Sequence, residues 1–261
     1  LLSGAGGITL NNDINAGTGT VYLTSAGAGA GISEAGAAKV TAGTLGMNVT
    51  SAGNIVTNNS NVVNVLGAKT ANGNVQFKNT QALGVTTVAA SGNFAGTTNG
   101  IDTSATTGKT VDVLLTAGAL TLNNDVTVGT GTVYVTSAGG LNETTGKVLA
   151  DVLGINVTGA GNIVANQANH VTGAISLKTA NGTIQYQDTG AITVGAVGAS
   201  GNYAGTTGID SSGGNGTVDL LSGAGGITLN NDINAGTGTV YLTSAGAGAG
   251  ISEAGAAKVT A

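Results

Sequence analysis

The stretch LLSGAGGITLNNDINAGTGTVYLTSAGAGAGISEAGAAKVTA opens the chain at Leu1–Ala42 and closes it, letter for letter, at Leu220–Ala261. The two copies are offset by 219 residues, and a diverged third copy, VDVLLTAGALTLNNDVTVGTGTVYVTSAG, lies between them at Val111–Gly139. Anchoring on Asn-Asn-Asp puts Asp13, Asp125 and Asp232 in equivalent places, 112 and 107 residues apart. The intervening sequence repeats too: Gly73-Asn-Val-Gln-Phe77 matches Gly182-Thr-Ile-Gln-Tyr186, and Ala90-Ser-Gly-Asn-Phe94 matches Ala199-Ser-Gly-Asn-Tyr203. The chain therefore divides into a first unit at 1–110, a diverged second unit at 111–217 and the start of a third at 218–261. Tandem units of this kind point to one continuous stacked rod and not to separate globular domains.

Composition narrows the class. Gly contributes 48 residues and charged residues only 7%, against about 25% in ordinary globular proteins. Disorder does not fit, because disordered chains are rich in charge and Pro, whereas this one has no Pro and is 41% apolar. A net charge of −5 with no Arg excludes a surface that tracks nucleic-acid phosphates. Without Cys there is no disulfide or thiolate metal site. No apolar run approaches the ~18 residues of a membrane-spanning helix, and nothing resembles a signal peptide.

Within a unit, strand-like openings recur at Thr20, Thr44, Asn74, Asn93 and Thr110, returning at Thr132. Five steps over these 112 residues give a mean coil near 22, and about twelve coils for the chain. Each coil reads as two or three short strands joined by Gly, Asn, Ser and Thr turns. Alternation assigns the faces. Val21 and Leu23, Leu45, Met47 and Val49, Val75 and Phe77, and Val111 and Val113 should point inward. Tyr22, Asn48, Gln76, Lys78 and Asp112 should point outward. Every aromatic falls in an equivalent column: Phe77 with Tyr186, Phe94 with Tyr203, and Tyr22 with Tyr134 and Tyr241. These features specify an all-β chain wound as a parallel β-helix (a β-solenoid), a rod of ~55 Å at ~4.8 Å per coil.

The segments GGITLNNDINAGTGTVYLTSAG, TAGTLGMNVTSAGNI and TANGNVQFKNTQALGVTTVAASGN resemble the repeats of filamentous-haemagglutinin-like exoproteins, and the likeness covers essentially the whole chain. Their information content is low, because alternation of Gly, Asn and apolar residues recurs in many β-solenoids. The resemblance implies a right-handed parallel β-helix in a giant bacterial adhesin. Many such adhesins are exported through a dedicated outer-membrane partner, and the family's amino-terminal secretion module is not visible here. The resemblance further implies a secreted fibre at the cell surface, used for attachment, cell–cell contact or biofilm scaffolding. It brings no catalytic residues and no cofactor. Partners expected on this reading are a continuation of the same chain or end-to-end copies, laterally bundled fibres, and a glycan or cell-surface receptor.

Two other readings are open. One is a carbohydrate-active β-helix enzyme, which needs carboxylates grouped on one face. Asp102 and Asp112, recurring as Asp210 and Asp219, are the candidates, since each follows an inward apolar residue and should face solvent in successive coils. They are also weak calcium candidates, although no calcium-loop spacing is present; a solvated ladder of acids is the plainer account. The second is an ice-binding solenoid, which needs a Thr-x-Thr pair at one place in coils of equal length, and the coils are uneven. His170, the single imidazole, has no counterpart in the first unit and reads as a surface residue. Asp13, Asp125 and Asp232 read as turn residues bonding their own backbone. The Asn-x-Thr triplets at Asn48, Asn156 and Asn181 are expected from composition alone. Tyr22, Tyr134 and Tyr241, outward and recurring once per unit, are candidate surface contacts, or else pack beneath a neighbouring loop.

Overall fold

Runs of alternating apolar residues bounded by Gly and Asn form short strands, and each strand pairs in parallel with its equivalents one coil before and after. The computed structural model describes all residues, Leu1–Ala261. It contains strands and turns only, stacked as a parallel β-solenoid of about twelve turns of about 22 residues. No helix is long and apolar enough to cross a membrane.

Two ladders of parallel strands run the length of the rod. The first carries Thr20–Ser25, then 44–49 and 65–70. It continues through Leu83–Val85 with Ile101–Asp102, and through Leu120–Leu122 with Val126–Thr127. The second carries 55–57, Val75–Asn79, Thr110–Leu115, Thr132–Ser137, Val152–Val157 and Ala174–Thr179. From Thr20 the chain revisits the first ladder at 44, 65, 84–102 and 120–127, then reaches Thr132 on the second. One unit is therefore four and a half turns. From Thr132 the second ladder is revisited at 152, 174, 192–210 and 227–234, and the equivalent strand, Val240–Ser244, falls on the first ladder again. Two units thus complete nine turns.

This corrects the five-step reading of the unit. Asn93 opens no coil; it sits at the tip of an antiparallel hairpin, Thr87–Val88 against Thr98–Asn99, that leaves the ladder and returns to it. Asn74 and Thr110 begin successive strands of the second ladder although 36 residues separate them. With the thirteen-residue excursion, Thr87–Asn99, set aside, the four and a half turns average about 22 residues each.

The expected inward positions are buried. Val21, Leu45, Leu66 and Val85 stack on one another, as do Leu23, Met47, Ala68 and Ile101, in one apolar core along the axis. Polar side chains complete the ladder where it is interrupted. The strand Ile55–Thr70 shifts register between Thr57 and Asn61. Nearby, Asn61 Oδ1 accepts from the Val40 N–H at 2.6 Å and Asn79 Oδ1 from the Val63 N–H at 2.9 Å. Asn169 and Asp188 do the same for Val148 and Val171 in the second unit. Asp13, Asp125 and Asp232 also bond across coils, accepting from the backbone N–H of Lys39, Lys147 and Lys258. Their expected role within their own turns is replaced by this axial one, because the amide of the next coil lies directly above each carboxylate.

The equivalent core positions Phe77 and Tyr186 differ by a hydroxyl, and their neighbours differ in step. Tyr186 Oη donates to Asp188 Oδ2 at 2.7 Å, where the first unit has Asn79. A buried hydroxyl without an acceptor costs about 1–3 kcal/mol. Phe77→Tyr alone is therefore expected to lower stability by about that amount, and adding Asn79→Asp to recover part of it. Thermal melts of both variants test this; equal losses in the two would refute the pairing.

Candidate functional site

The most elaborate surface lies outside the core, where the two hairpins fold back over the ladders. Each tip is a two-residue Gly-Asn turn closed by paired backbone bonds, Ser91 with Phe94 and Ser200 with Tyr203. Gly92 and Gly201 have φ of 55°, which the first position of such a turn requires and a β-carbon disfavours. The sequences Ser91–Thr98 and Ser200–Thr207 differ only at Phe94/Tyr203.

The first hairpin covers the outer face of Thr20–Ser25, 44–49 and 65–70. Val88 and Phe94 are buried there in a second apolar layer outside the main core. The face is made of small residues so that the hairpin can approach. A β-carbon on Gly46 would lie 2.8 Å from Val88 Cγ1 and 3.0 Å from Phe94 Cζ. In the second unit, a β-carbon on Gly154 would lie 2.7 Å from Tyr203 Cζ. Ser176, in the place of Gly67, bonds the Gly208 carbonyl at 2.9 Å.

The hairpins decide what becomes of the tyrosines. Tyr22 packs on Phe94 with ring centroids 5.0 Å apart, and Tyr134 on Tyr203 at 5.3 Å. Both point away from the core, as alternation requires, but are covered and only half-exposed. Of the three candidate contacts only Tyr241, 55% exposed, is open. Tyr134 sits on the ladder opposite that of Tyr22 and Tyr241, so the three do not form a row along one face.

The acids are also separated. Asp102 and Asp219 lie on the first ladder, Asp112 and Asp210 on the second. No group of three or more acidic, His or Cys side chains converges. Asp102 pairs with Lys69 at 3.3 Å and Asp210 with Lys178 at 3.3 Å. Burial pushes the Asp102 carboxyl up, but bonds from the Ser104 hydroxyl and N–H, with Lys69, outweigh it and hold it below the usual range. Asp112 does not face solvent. It is 4% exposed, roofed by the second hairpin, and accepts from the Asn202 N–H at 2.6 Å and from Gln76 Nε2 at 3.3 Å. Burial raises its pKa against those two bonds. The strand pattern alone conceals this, because the covering residue lies 90 positions away.

Glu143 escaped the sequence reading. It is buried at the second-unit register shift, where Oε2 accepts from the Gln167 N–H at 2.9 Å and from Asn169 Nδ2 at 3.0 Å. Its Oε1 has no partner, and burial drives its pKa up to about 8. Glu34 is equivalent and is raised by the same cause. The inward-facing place of Glu143 in LNE was the available signal. His170 is exposed, with Nδ1 3.2 Å from Thr189 Oγ1. Asn48 is buried and donates to the Ala95 carbonyl, so its triplet is inaccessible in the fold.

At the base of the first hairpin lies an open groove of about 430 Å³ lined only by polar residues, among them Asn99, Asp102, Asn123, Asn124 and Asp125. Fold and surface together define a β-solenoid rod strapped by hairpins. Set against known protein families, curated proteins and solved structures, the chain gives no match.

Two measurements probe this surface. Gly154→Val should expel the second hairpin while leaving the coils wound. Faster hydrogen exchange confined to residues 196–207 is the expected result, and loss of protection throughout the rod would show that the hairpin is integral to the coils. For Glu143, the neutral acid is favoured in the fold because its pKa of about 8 exceeds the ordinary 4.5. Its contribution is therefore complete below about 4.5 and lost as pH rises towards about 8. The melting temperature should fall between pH 5 and pH 9, and Glu143→Gln should flatten that fall; unchanged slopes would count against it.

Proposed function

We propose that the chain is a structural and adhesive segment of a long extracellular fibre on a bacterial surface, acting in attachment, cell–cell contact or biofilm scaffolding, and not an enzyme. The observation that carries this reading is the nine-turn repeat. Leu1–Ala42 and Leu220–Ala261 are identical in sequence, and their strands fall on the same ladders after two units. A surface repeated along an axis suits multivalent contact, in which several weak sites add to an avidity none has alone. The all-polar groove beside Asp102 and Asp125 supports a glycan as the contacting chemistry, through amide and hydroxyl hydrogen bonds. The resemblance to haemagglutinin-like exoproteins supports export and surface attachment.

An array of such units has a defined axial period. Nine turns at about 4.8 Å each span about 43 Å. Electron micrographs of the purified protein should show uniform, unbranched filaments with that spacing; discrete compact particles would overturn the fibre reading.

A further inference from the structure

The second hairpin reaches farther than its own unit. Its tip passes Tyr134 and Asp112 to meet Gln76 and Asn58 of the first unit. Asn202 Nδ2 donates to Asn58 Oδ1 at 2.6 Å while the Asn202 N–H is held by Asp112. The receiving groove is a column of outward residues on the second ladder, in register from Val56 through Gln76 and Asp112 to Tyr134.

The same column recurs on the first ladder. Val164, Gln185, Asp219 and Tyr241 are in register there, with Asn166 in the place of Asn58. This copy is open. Asp112 is buried but Asp219 is half-exposed, and Gln76 is half-exposed but Gln185 is exposed. Tyr241 carries no ring against it, and the Asp219 carboxylate accepts no hydrogen bond. A groove of about 230 Å³ lies between Asn166, Gln185 and Asp219.

We infer that the groove formed by Asn166, Gln185, Asp219 and Tyr241 is the docking site for the Ser-Gly-Asn-aromatic hairpin tip of a following repeat unit, so that successive units are latched to one another. The occupied copy identifies the occupant. A Gly-Asn turn supplies the backbone N–H that the carboxylate takes, the Asn amide reaches the facing Asn, and the next residue lays an aromatic ring on the Tyr. Both hairpins of the chain carry this tip. The inference rests on reading the chain as part of an extended array. It adds to that reading a lateral latch independent of the backbone ladder.

The test uses the 261-residue protein and a backbone-cyclised peptide carrying Val197–Thr207, followed by nuclear magnetic resonance. A peptide in trans lacks the tether's millimolar effective concentration, so saturation in roughly the millimolar range is expected. Shifts should centre on Gln185, Asp219 and Tyr241. Asp219→Ala and Tyr241→Ala should each weaken binding at least about fivefold, and the peptide with Ala for its Tyr should fail to bind. No saturation by about 10 mM, or binding indifferent to both substitutions, overturns the assignment. So does an oligosaccharide that saturates the groove when the peptide does not, which would make it a glycan receptor. Failure of the array reading is distinguished by micrographs showing compact particles while the peptide still binds.

Discussion

In a parallel solenoid every strand spends both of its hydrogen-bonding edges on neighbouring coils, so the chain can vary only in its outer side chains, its turns and what it inserts between strands. The half-integer turn count acts on that freedom. Because a unit closes after four and a half turns, each motif reappears on the opposite ladder one unit later, and only two units restore the original side. The identity of the terminal copies beside a diverged middle one is the sequence trace of that geometry. Thr20–Ser25 and Val240–Ser244 share a ladder, whereas Thr132–Ser137 does not. Any surface built from one element per unit therefore alternates around the rod.

The hairpins follow from the same constraint. An insertion between two strands must leave the ladder and re-enter it without disturbing the register of either neighbour. The strand 65–70 continues across the gap, pairing at one end with Gly84 and Val85 and at the other with Ile101 and Asp102. The excursion can then lie only on the outer face, and there it covers apolar area that the core cannot use. Val88 and Phe94, like Val197 and Tyr203, are at most 4% exposed yet stand apart from the central cluster. Burial of a large aromatic and a Val contributes about 1.5–3 kcal/mol each. Close approach demands small residues beneath, and Gly46, Gly67 and Gly154 supply the space.

How much of this was legible in the sequence divides along the same line. Period-two alternation in TVYLT, NVQFK and TVDVLL specified which side chains stack inside, because the apolar core rewards only one register. Phe77 and Tyr186 occupy equivalent inward positions of the two units for that reason. Asn-Phe-Ala-Gly has the composition of a strand start and so reads as a coil opening; only ladder continuity across 85 and 101 shows that the chain has stepped outside. Alternation points Asp112 outward, but it reports the direction of a side chain and not what lies over it. The tyrosines divide along the same line: all three point outward, but Tyr22 and Tyr134 lie beneath hairpins, the alternative their sequence leaves open, while Tyr241 is exposed.

Divergence between the units is then best understood as change in coupled sets. Phe77 with Asn79 becomes Tyr186 with Asp188, so the added hydroxyl arrives with a carboxylate to receive it. The core surrounding this pair is dry enough to raise Glu143 to about 8, and an unaccompanied polar atom would be costly there. At the outer face, Gly67, where Val88 and Thr98 fill the space a β-carbon would take, becomes Ser176, whose hydroxyl donates to the Gly208 carbonyl. A solenoid coil is a thin layer, so a substituted atom meets a neighbour in its own strand, as Tyr186 meets Asp188, or in the adjoining coil, as Ser176 meets Gly208.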